Sequence, residues 1–376
     1  MFKVKKLILL LCIIVLLSTT GCWDYTELDK ITLVKGFGID INENNEIILT
    51  FQMLKPQNST SQGESNEDKK VFIIEESGKT VFDAIRNASL HASRKLYFAH
   101  NQVIILGKKA AQSNPKGLLE NFRRDTESRT LDYILIAENT ASEILHSKGG
   151  LDSIQSQDLG SLVSNFKPSG KVVPIRISDI TLAMLSKTTS PIAPIVKLDE
   201  AGHSYLSDTA IIKNNRYVGN LNSEETRGYL WITNKLKSGI INIEDKEKDI
   251  LIAFEIIDTN SKLKFNFKED IVVEISLEAH TNLGNNLKST KNVTEKELIR
   301  MQEEHIKETA MKAINKANYY NADIFGFGEY IHANYPKQWK KIEKNWSHTF
   351  SQLKYEIDVK VEIKSHGRIT TKYKEE

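Results

Sequence analysis

One stretch decides the fold of the C-terminal part of the chain: LKYEIDVKVEI, residues 353–363. Every second side chain from Leu353 to Ile363 is apolar or aromatic, and each residue between them is charged. A period of two buries one face of a strand and leaves the other in water, which is typical of an antiparallel sheet with one covered side. We therefore predict a strand here, in a C-terminal antiparallel sheet.

The cover for this sheet precedes it in the chain. Thr294 and Glu297 have the spacing of a capping box. Seven apolar residues then recur on one face of a predicted helix that runs to about Tyr320: Leu298, Ile299, Ile306, Ala310, Ala313, Ile314 and Ala317. Pro336 favours the first turn of a second, short helix. With further strands predicted over 250–257, 263–267 and 271–279, the pattern indicates an α+β domain in which a long helix covers the sheet.

Strands and helices alternate in the N-terminal half. Strands are predicted over 31–40, 46–53, 71–74, 102–106 and 131–137, and helices over 80–92, 115–124 and 141–146. This alternation favours a layered α/β arrangement, because the helices between the strands cover the faces of the sheet. Residues 55–70 have no pattern of buried residues and predict a polar surface loop.

The fold class is therefore predicted as mixed α/β and α+β, in more than one domain. The predicted division is a signal segment at 1–21, an N-terminal α/β region at 22–200 and a C-terminal α+β domain at 201–371. Gly149-Gly150 is a candidate break within the N-terminal region. Helices are predicted over 152–166 and 179–186, and four of the seven prolines fall between 168 and 194.

The first residues indicate export and lipidation. Three lysines precede an apolar run of 11 residues, 7–17, and small residues lead into Gly21-Cys22. This run is shorter than the about 17–25 residues that span a bilayer, so it predicts a secretory signal. We predict that the Cys22 thiol carries a diacylglyceryl group, with N-acylation as a second modification. Thr19 departs from the usual pattern, in which Leu, Val or Ile lies three residues before the cysteine. An ordinary cleaved signal and a short uncleaved anchor are the alternatives.

Composition gives no indication of a nucleic-acid partner. The formal charge of +2 includes three signal lysines, whose removal leaves 48 Lys and Arg against 49 Asp and Glu. Cys12 would leave with the signal and Cys22 would be alkylated, so no disulfide is expected. The exported body must then be held together by its hydrophobic core.

Motifs for catalysis and cofactors fail when their spacing is checked. Gly78-Lys79-Thr80 resembles the end of a phosphate-binding loop, but Ile73 stands where the first glycine is required. The GFG triplets at 36–38 and 326–328 lack the third glycine of a dinucleotide fingerprint and are expected to be bends or points of close packing. The histidines show no metal-ligand spacing. We predict no catalytic, cofactor-binding or metal-binding residue, and a binding or structural component rather than an enzyme.

Several segments together resemble one family. They occur in the family's order along the chain: GCWD at 21–24, GFGID at 36–40, KLYFAH at 95–100, LSDTA at 206–210, SEETRGYLW at 223–231, DIFGFGE at 323–329 and YPKQWKKI at 335–342. The chain is thereby similar to the Ger(x)C proteins, the lipoprotein C subunits of the nutrient-germinant receptors of endospore-forming bacteria. Thr19 and residues 55–70 depart from the family's pattern.

The resemblance implies a fold, a location and partners. It implies a three-domain α/β architecture without catalytic activity, anchored at the outer face of the spore inner membrane. The implied partners are the membrane-embedded A and B subunits of the receptor. The alternative function is a solute-binding lipoprotein for nutrient uptake, which a cleft between two similar α/β lobes would favour. The predicted halves differ from each other, and this disfavours the alternative.

Overall fold

The chain forms two β-sheets in succession, in a computed structural model that describes residues 4–6, 27–55, 71–124, 132–247, 249–286 and 293–365. Cys22 and the polar segment 56–70 lie outside these ranges, and so do the last residues of the predicted C-terminal domain. No helix in the described ranges is both long enough and apolar enough to cross a membrane.

The first sheet contains nine strands in the described part of the chain. They are β1 (Ile31–Ile41), β2 (Ile47–Leu54), β3 (Val71–Gly78), β4 (Lys95–Tyr97), β5 (Val103–Leu106), β6 (Tyr133–Ala137), β7 (Ile192–Leu198), β8 (Ser204–Lys213) and β9 (Arg216–Leu221). Their order is β3-β2-β1-β5-β6-β7-β8-β9, with β4 beside the start of β1. The central strands β1, β5, β6 and β7 are parallel, and antiparallel hairpins extend the sheet on both sides.

Helices cover both faces of this sheet. They are α1 (Val81–His91), α2 (Lys108–Ser113), α3 (Pro115–Arg124), α4 (Ala141–His146), α5 (Gln155–Ser164) and α6 (Ile177–Leu185). In β5, Val103 and Ile105 belong to the apolar cluster beneath α4 and α5, whereas Ile104 and Leu106 belong to the main core on the other face. Burial on both faces explains why the parallel strands β5 and β6 are continuous apolar runs. The predicted α/β layering is confirmed.

The second sheet is a path of four strands within the described residues. They are β10 (Gly239–Asp245), β11 (Ile250–Phe267), β12 (Ile271–Asn286) and β13 (Lys354–Ser365), hydrogen-bonded in that order. The alternation that predicted β13 is confirmed, since Ile357 and Val361 are buried while Lys360 and Glu362 are exposed. The two strands predicted over 250–257 and 263–267 are one continuous strand, β11, with bulges between Ala253 and Asp258.

The sheet is mixed, so the prediction of an antiparallel sheet was wrong for β13. Strands β10 to β12 are antiparallel, but β13 runs parallel to β12, with Ile357 opposite Ile275. The reason lies in the connection, which contains α8 (Glu295–Tyr319), α9 (Phe327–Asn334), α10 (Pro336–Ile342) and α11 (Trp346–Ser351). A helical crossover of this length returns the chain to the starting end of β12, as parallel pairing requires.

The long helix α8 lies on this sheet as predicted. Thr294 and Glu297 form the capping box, and six of the seven apolar residues predicted for its inner face are buried. Helix α7 (Ser223–Ile232) connects the two sheets and packs against α8 at Gly228. A Cβ atom at Gly228 would lie 2.2 Å from the Thr309 carbonyl oxygen. The two helices are therefore closer together here than a residue with a side chain at position 228 would allow.

The first sheet extends beyond the predicted domain division at residues 200 and 201. Strands β8 and β9 pair with β7, and the second sheet starts only at Gly239. Hydrogen-bonded sheets and domains need not end at the same residue, so the division into 22–200 and 201–371 stays a prediction.

Candidate functional site

The segment 323–329 places a buried carboxylate at the start of α9. The carboxylate oxygens of Asp323 accept hydrogen bonds from the backbone N–H groups of Phe327 (3.0 Å) and Gly328 (2.8 Å). Gly326 has φ +75°, in the left-handed region that favours glycine. Asp323 thus satisfies backbone donors that the first turn of a helix leaves without partners.

Burial also changes the acidity of this group. Because Asp323 is 3% exposed, desolvation disfavours its charged form and raises its pKa to about 6, against the opposing effect of the backbone donors. The carboxyl group therefore changes its charge slightly below neutral pH.

The same segment contacts the loop that precedes β7. The Ser190 N–H donates to the Asp323 carbonyl oxygen at 2.8 Å. The Glu329 carboxylate accepts from Ser186 Oγ at 2.6 Å and from Thr188 Oγ1 at 3.2 Å. Residues 323–329, which carry part of the family resemblance, thus hold the C-terminal helices to the first sheet.

Helix α8 ends next to this contact. Asn321 has φ +48°, and the Ala322 N–H donates to the Ala317 carbonyl oxygen at 2.9 Å, the arrangement of a Schellman motif. Lys213, at the end of β8, donates from Nζ to the Tyr320 carbonyl oxygen at 3.1 Å. A cation at this position is favoured by the negative end of the helix dipole.

These elements enclose a cavity of about 220 Å³. Its walls are the loop 186–191, the hairpin between β8 and β9, the C-terminal end of α8 and the start of α11. The charged side chains among its lining residues are Lys116, Lys187, Lys213 and Asp323. The cavity therefore lies where the first sheet meets the C-terminal helices, and its lining carries an excess of positive charge.

The GFGID segment at 36–40 is a point of close packing, as predicted. Gly36 and Gly38 lie on β1, and a Cβ atom at Gly36 would be 2.4 Å from Ser156 Cβ. Asp40 accepts from the N–H groups of Ala141 and Ser142 at the start of α4, both at 2.9 Å. Burial raises the pKa of Asp40, although these donors oppose the rise.

The SEETRGYLW segment at 223–231 is equally occupied within the fold. Arg227 donates to three backbone carbonyl oxygens, those of Ser169, Gly170 and Ile240. Trp231 is 2% exposed, so it lies in the core. These contacts join the loop after α5 to α7 and to the first strand of the second sheet.

Cys22, the predicted lipidation residue, lies outside the described ranges. Within the described ranges, no group of three His, Cys, Asp or Glu side chains is arranged to hold a metal ion. His91 contacts Glu76, and His100 packs against Tyr97.

Sequence reasoning missed the cavity, because its lining residues are spread from Lys116 to Phe350 and no linear motif connects them.

Comparison with known proteins assigns the chain to a family. Residues 24–198 match the Spore germination protein N-terminal domain, and residues 207–367 match the Spore germination B3/GerAC like, C-terminal domain. The chain belongs to the Ger(x)C family of spore germination proteins. The predicted resemblance is confirmed, and the two matches meet between residues 198 and 207, within the first sheet.

Three relatives of the Ger(x)C chain come from Bacillus subtilis (strain 168). It is 29% identical to Spore germination protein KC, over 94% of this chain and 94% of that protein. It is 26% identical to Spore germination protein B3, over 94% and 96%, and 24% identical to Spore germination protein A3, over 97% and 98%. The similarity thus extends over nearly the whole length of each relative.

The fold is also similar to that of a solved Ger(x)C structure. The crystal structure of the GerBC protein matches 91% of this chain and all of its own chain, with a TM-score of 0.60 and 23% sequence identity. The mixed α/β architecture with more than one sheet is therefore that of a known family member.

Proposed function

We propose that this chain is a membrane-anchored, non-catalytic lipoprotein subunit of a spore nutrient-germinant receptor. It is bound to the outer face of the spore inner membrane through lipid on Cys22 and acts with membrane-embedded A and B subunits. The observation that supports the proposal most is the pair of family matches, which start at residue 24 and continue to residue 367. The matched region thus begins two residues after the proposed lipid attachment.

Chain length limits how far the body can be from the lipid. Five peptide units connect Cys22 to residue 27, where the continuously described fold begins, and they span at most about 17 Å. The first sheet would therefore be held close to the membrane, beside subunits embedded in it. Confinement to this layer raises the effective concentration of the chain near its partners, so that individually weak contacts suffice for assembly.

The internal contacts of the family segments support a scaffold role for these residues. Asp323, Glu329 and Arg227 all direct their polar groups to donors or acceptors of the chain itself. We propose that these residues maintain the shape of the body and that its outer surfaces contact the partner subunits.

The proposal is tested in spores that produce Cys22→Ala as the only copy of the protein. We expect the variant to remain precursor-sized or to leave the inner-membrane fraction, and the spores to lose their response to one class of nutrient. Germination by a trigger that bypasses receptors should persist. Cys12→Ala is the matched control, because this cysteine would be removed with the signal.

Gene deletion provides the second arm of the test, in a strain from which the other receptors have been removed. The deletion should abolish the remaining nutrient response, and a soluble form of residues 23–376 should restore it poorly. A nutrient response that persists after the deletion would refute the receptor function. Normal processing and membrane retention of Cys22→Ala would refute the lipid anchor alone.

A further inference from the structure

We propose that the cavity between the first sheet and the C-terminal helices is a binding site for a small organic acid that also carries a hydrogen-bond donor. The site goes beyond the scaffold and docking function proposed above. It rests on three features of the lining: its charge, a buried polar atom without a partner, and its size.

The charge of the lining favours an anion. Among the lining residues that the structure describes, three of the four charged side chains are the lysines Lys116, Lys187 and Lys213. The fourth is Asp323, whose two oxygens already accept from backbone N–H groups. Lys213 has no carboxylate within ion-pair distance in the described part of the chain, and its ammonium contacts only the Tyr320 carbonyl oxygen there. A partly desolvated ammonium without a counterion is unfavourable, and a bound carboxylate would supply the missing charge.

One polar atom of the lining defines the rest of the ligand. Trp346 is 6% exposed, and its Nε1–H lies beside the Asp323 carboxylate, whose charged form it favours, so this donor is directed at the chain's own carboxylate. Asn321 Oδ1 is buried without a partner, while its Nδ2 donates to Ser347 Oγ at 2.9 Å. An unused acceptor requires a donor, so the ligand also needs a hydroxyl or an ammonium group.

The size of the cavity suits a small metabolite. Its volume of about 220 Å³ is many times the about 10–15 Å³ that one water molecule needs on the same measure. The walls come from distant parts of the chain: Lys213 is at the end of β8, Asn321 follows α8, and Trp346 is the first residue of α11. A ligand that contacts all three side chains would connect the first sheet to the C-terminal helices.

The test uses full-length protein extracted from membranes in a non-ionic detergent and equilibrium dialysis of four radiolabelled compounds with one carbon skeleton. They are 2-hydroxybutanoate, 2-aminobutanoate, butanoate and 2-aminobutan-1-ol. We expect the two substituted acids to bind saturably at one site per chain, and butanoate to bind more weakly because it leaves Asn321 Oδ1 unpaired. The amino alcohol lacks the carboxylate and should not be retained.

Variants locate the binding. Lys213→Met should weaken binding of the substituted acids by about tenfold or more, the loss expected for one charge-assisted hydrogen bond, and Lys213→Arg should restore part of it. Lys360→Met, on the exposed face of β13, is the matched control and should bind as the unaltered protein does. Thermal melts establish that each variant is folded.

Three results would overturn the proposal. The first is that none of the four compounds binds saturably, which would mean that the cavity holds water only. The second is equal retention of the amino alcohol and the acids. The third is undiminished binding of the acids by folded Lys213→Met. None of them bears on the lipid anchor or the germination phenotype, so failure here is distinguishable from failure of the proposed function.

Discussion

The buried carboxyl of Asp323 leads to a prediction about stability and pH. Asp323→Asn keeps the shape of the side chain and removes its ability to ionise. At Asp323 the pKa rises from its ordinary value of 3.8 to about 6, because burial disfavours the charged form. Between these two values the folded protein holds a proton that the unfolded chain has released. The free energy of unfolding contributed by this group is therefore highest at low pH and falls as pH rises through this window.

The magnitude follows from the size of the pKa change. A rise of about 2 corresponds to about 3 kcal/mol between the fully protonated and the fully ionised carboxyl. Between pH 7 and pH 5 only part of this difference develops, about 1 kcal/mol. We therefore expect the free energy of unfolding of the unaltered protein to increase by about 1 kcal/mol relative to Asp323→Asn when the pH is lowered from 7 to 5. This change does not depend on which protein is the more stable at pH 7.

The assay is denaturant unfolding of residues 23–376 at both pH values, with the far-ultraviolet circular dichroism as the signal. Asp358→Asn is the control, since this residue is on the exposed face of β13 and its replacement removes one negative charge without changing a buried group. A difference between the unaltered protein and Asp323→Asn that stays constant from pH 7 to pH 5 would show that Asp323 is not held at a raised pKa. A change of opposite sign would show that its backbone donors outweigh its burial.

Three further predictions concern the core and the contacts between the sheets. Ile357→Asp should lower the free energy of unfolding by several kcal/mol, because it buries an unpaired charge. Lys360→Asp, on the solvent-exposed face of the same strand, should change it by less than about 1 kcal/mol. Equal effects in denaturant unfolding would mean that the buried face is assigned wrongly. Gly228→Ala should destabilise the fold by about 1–3 kcal/mol, because the new methyl group would meet the Thr309 carbonyl oxygen, and an unchanged thermal midpoint would refute the close contact of α7 and α8. Arg227→Met should increase proteolytic cleavage after residue 166, since three carbonyl oxygens lose their donor, and an unaltered digestion pattern would contradict this role.

Some features of this protein follow from the order of its residues alone. The strand β13, the capping box of α8 and the apolar face of α8 were predicted correctly, because they depend on neighbours two to four positions apart along the chain. The close packing of Gly36 agrees with the expectation that this GFG triplet is a bend or a point of close packing. Cys22, the proposed lipid attachment, is a linear signal and needs no fold to be recognised.

The tertiary structure decided the features that depend on residues far apart. The alternation in β13 is the same for parallel and antiparallel pairing, so only the helical crossover after β12 determined that the two strands are parallel. Likewise, the sequences of β8 and β9 do not indicate that these strands extend the first sheet. The cavity needs Lys213, Asn321 and Trp346 at one place, although more than a hundred residues separate the first of them from the others. Periodicity determines which face of a helix or strand is buried. The element that packs against this face is determined by the folding of the whole chain. The cavity could therefore be found only in the folded protein.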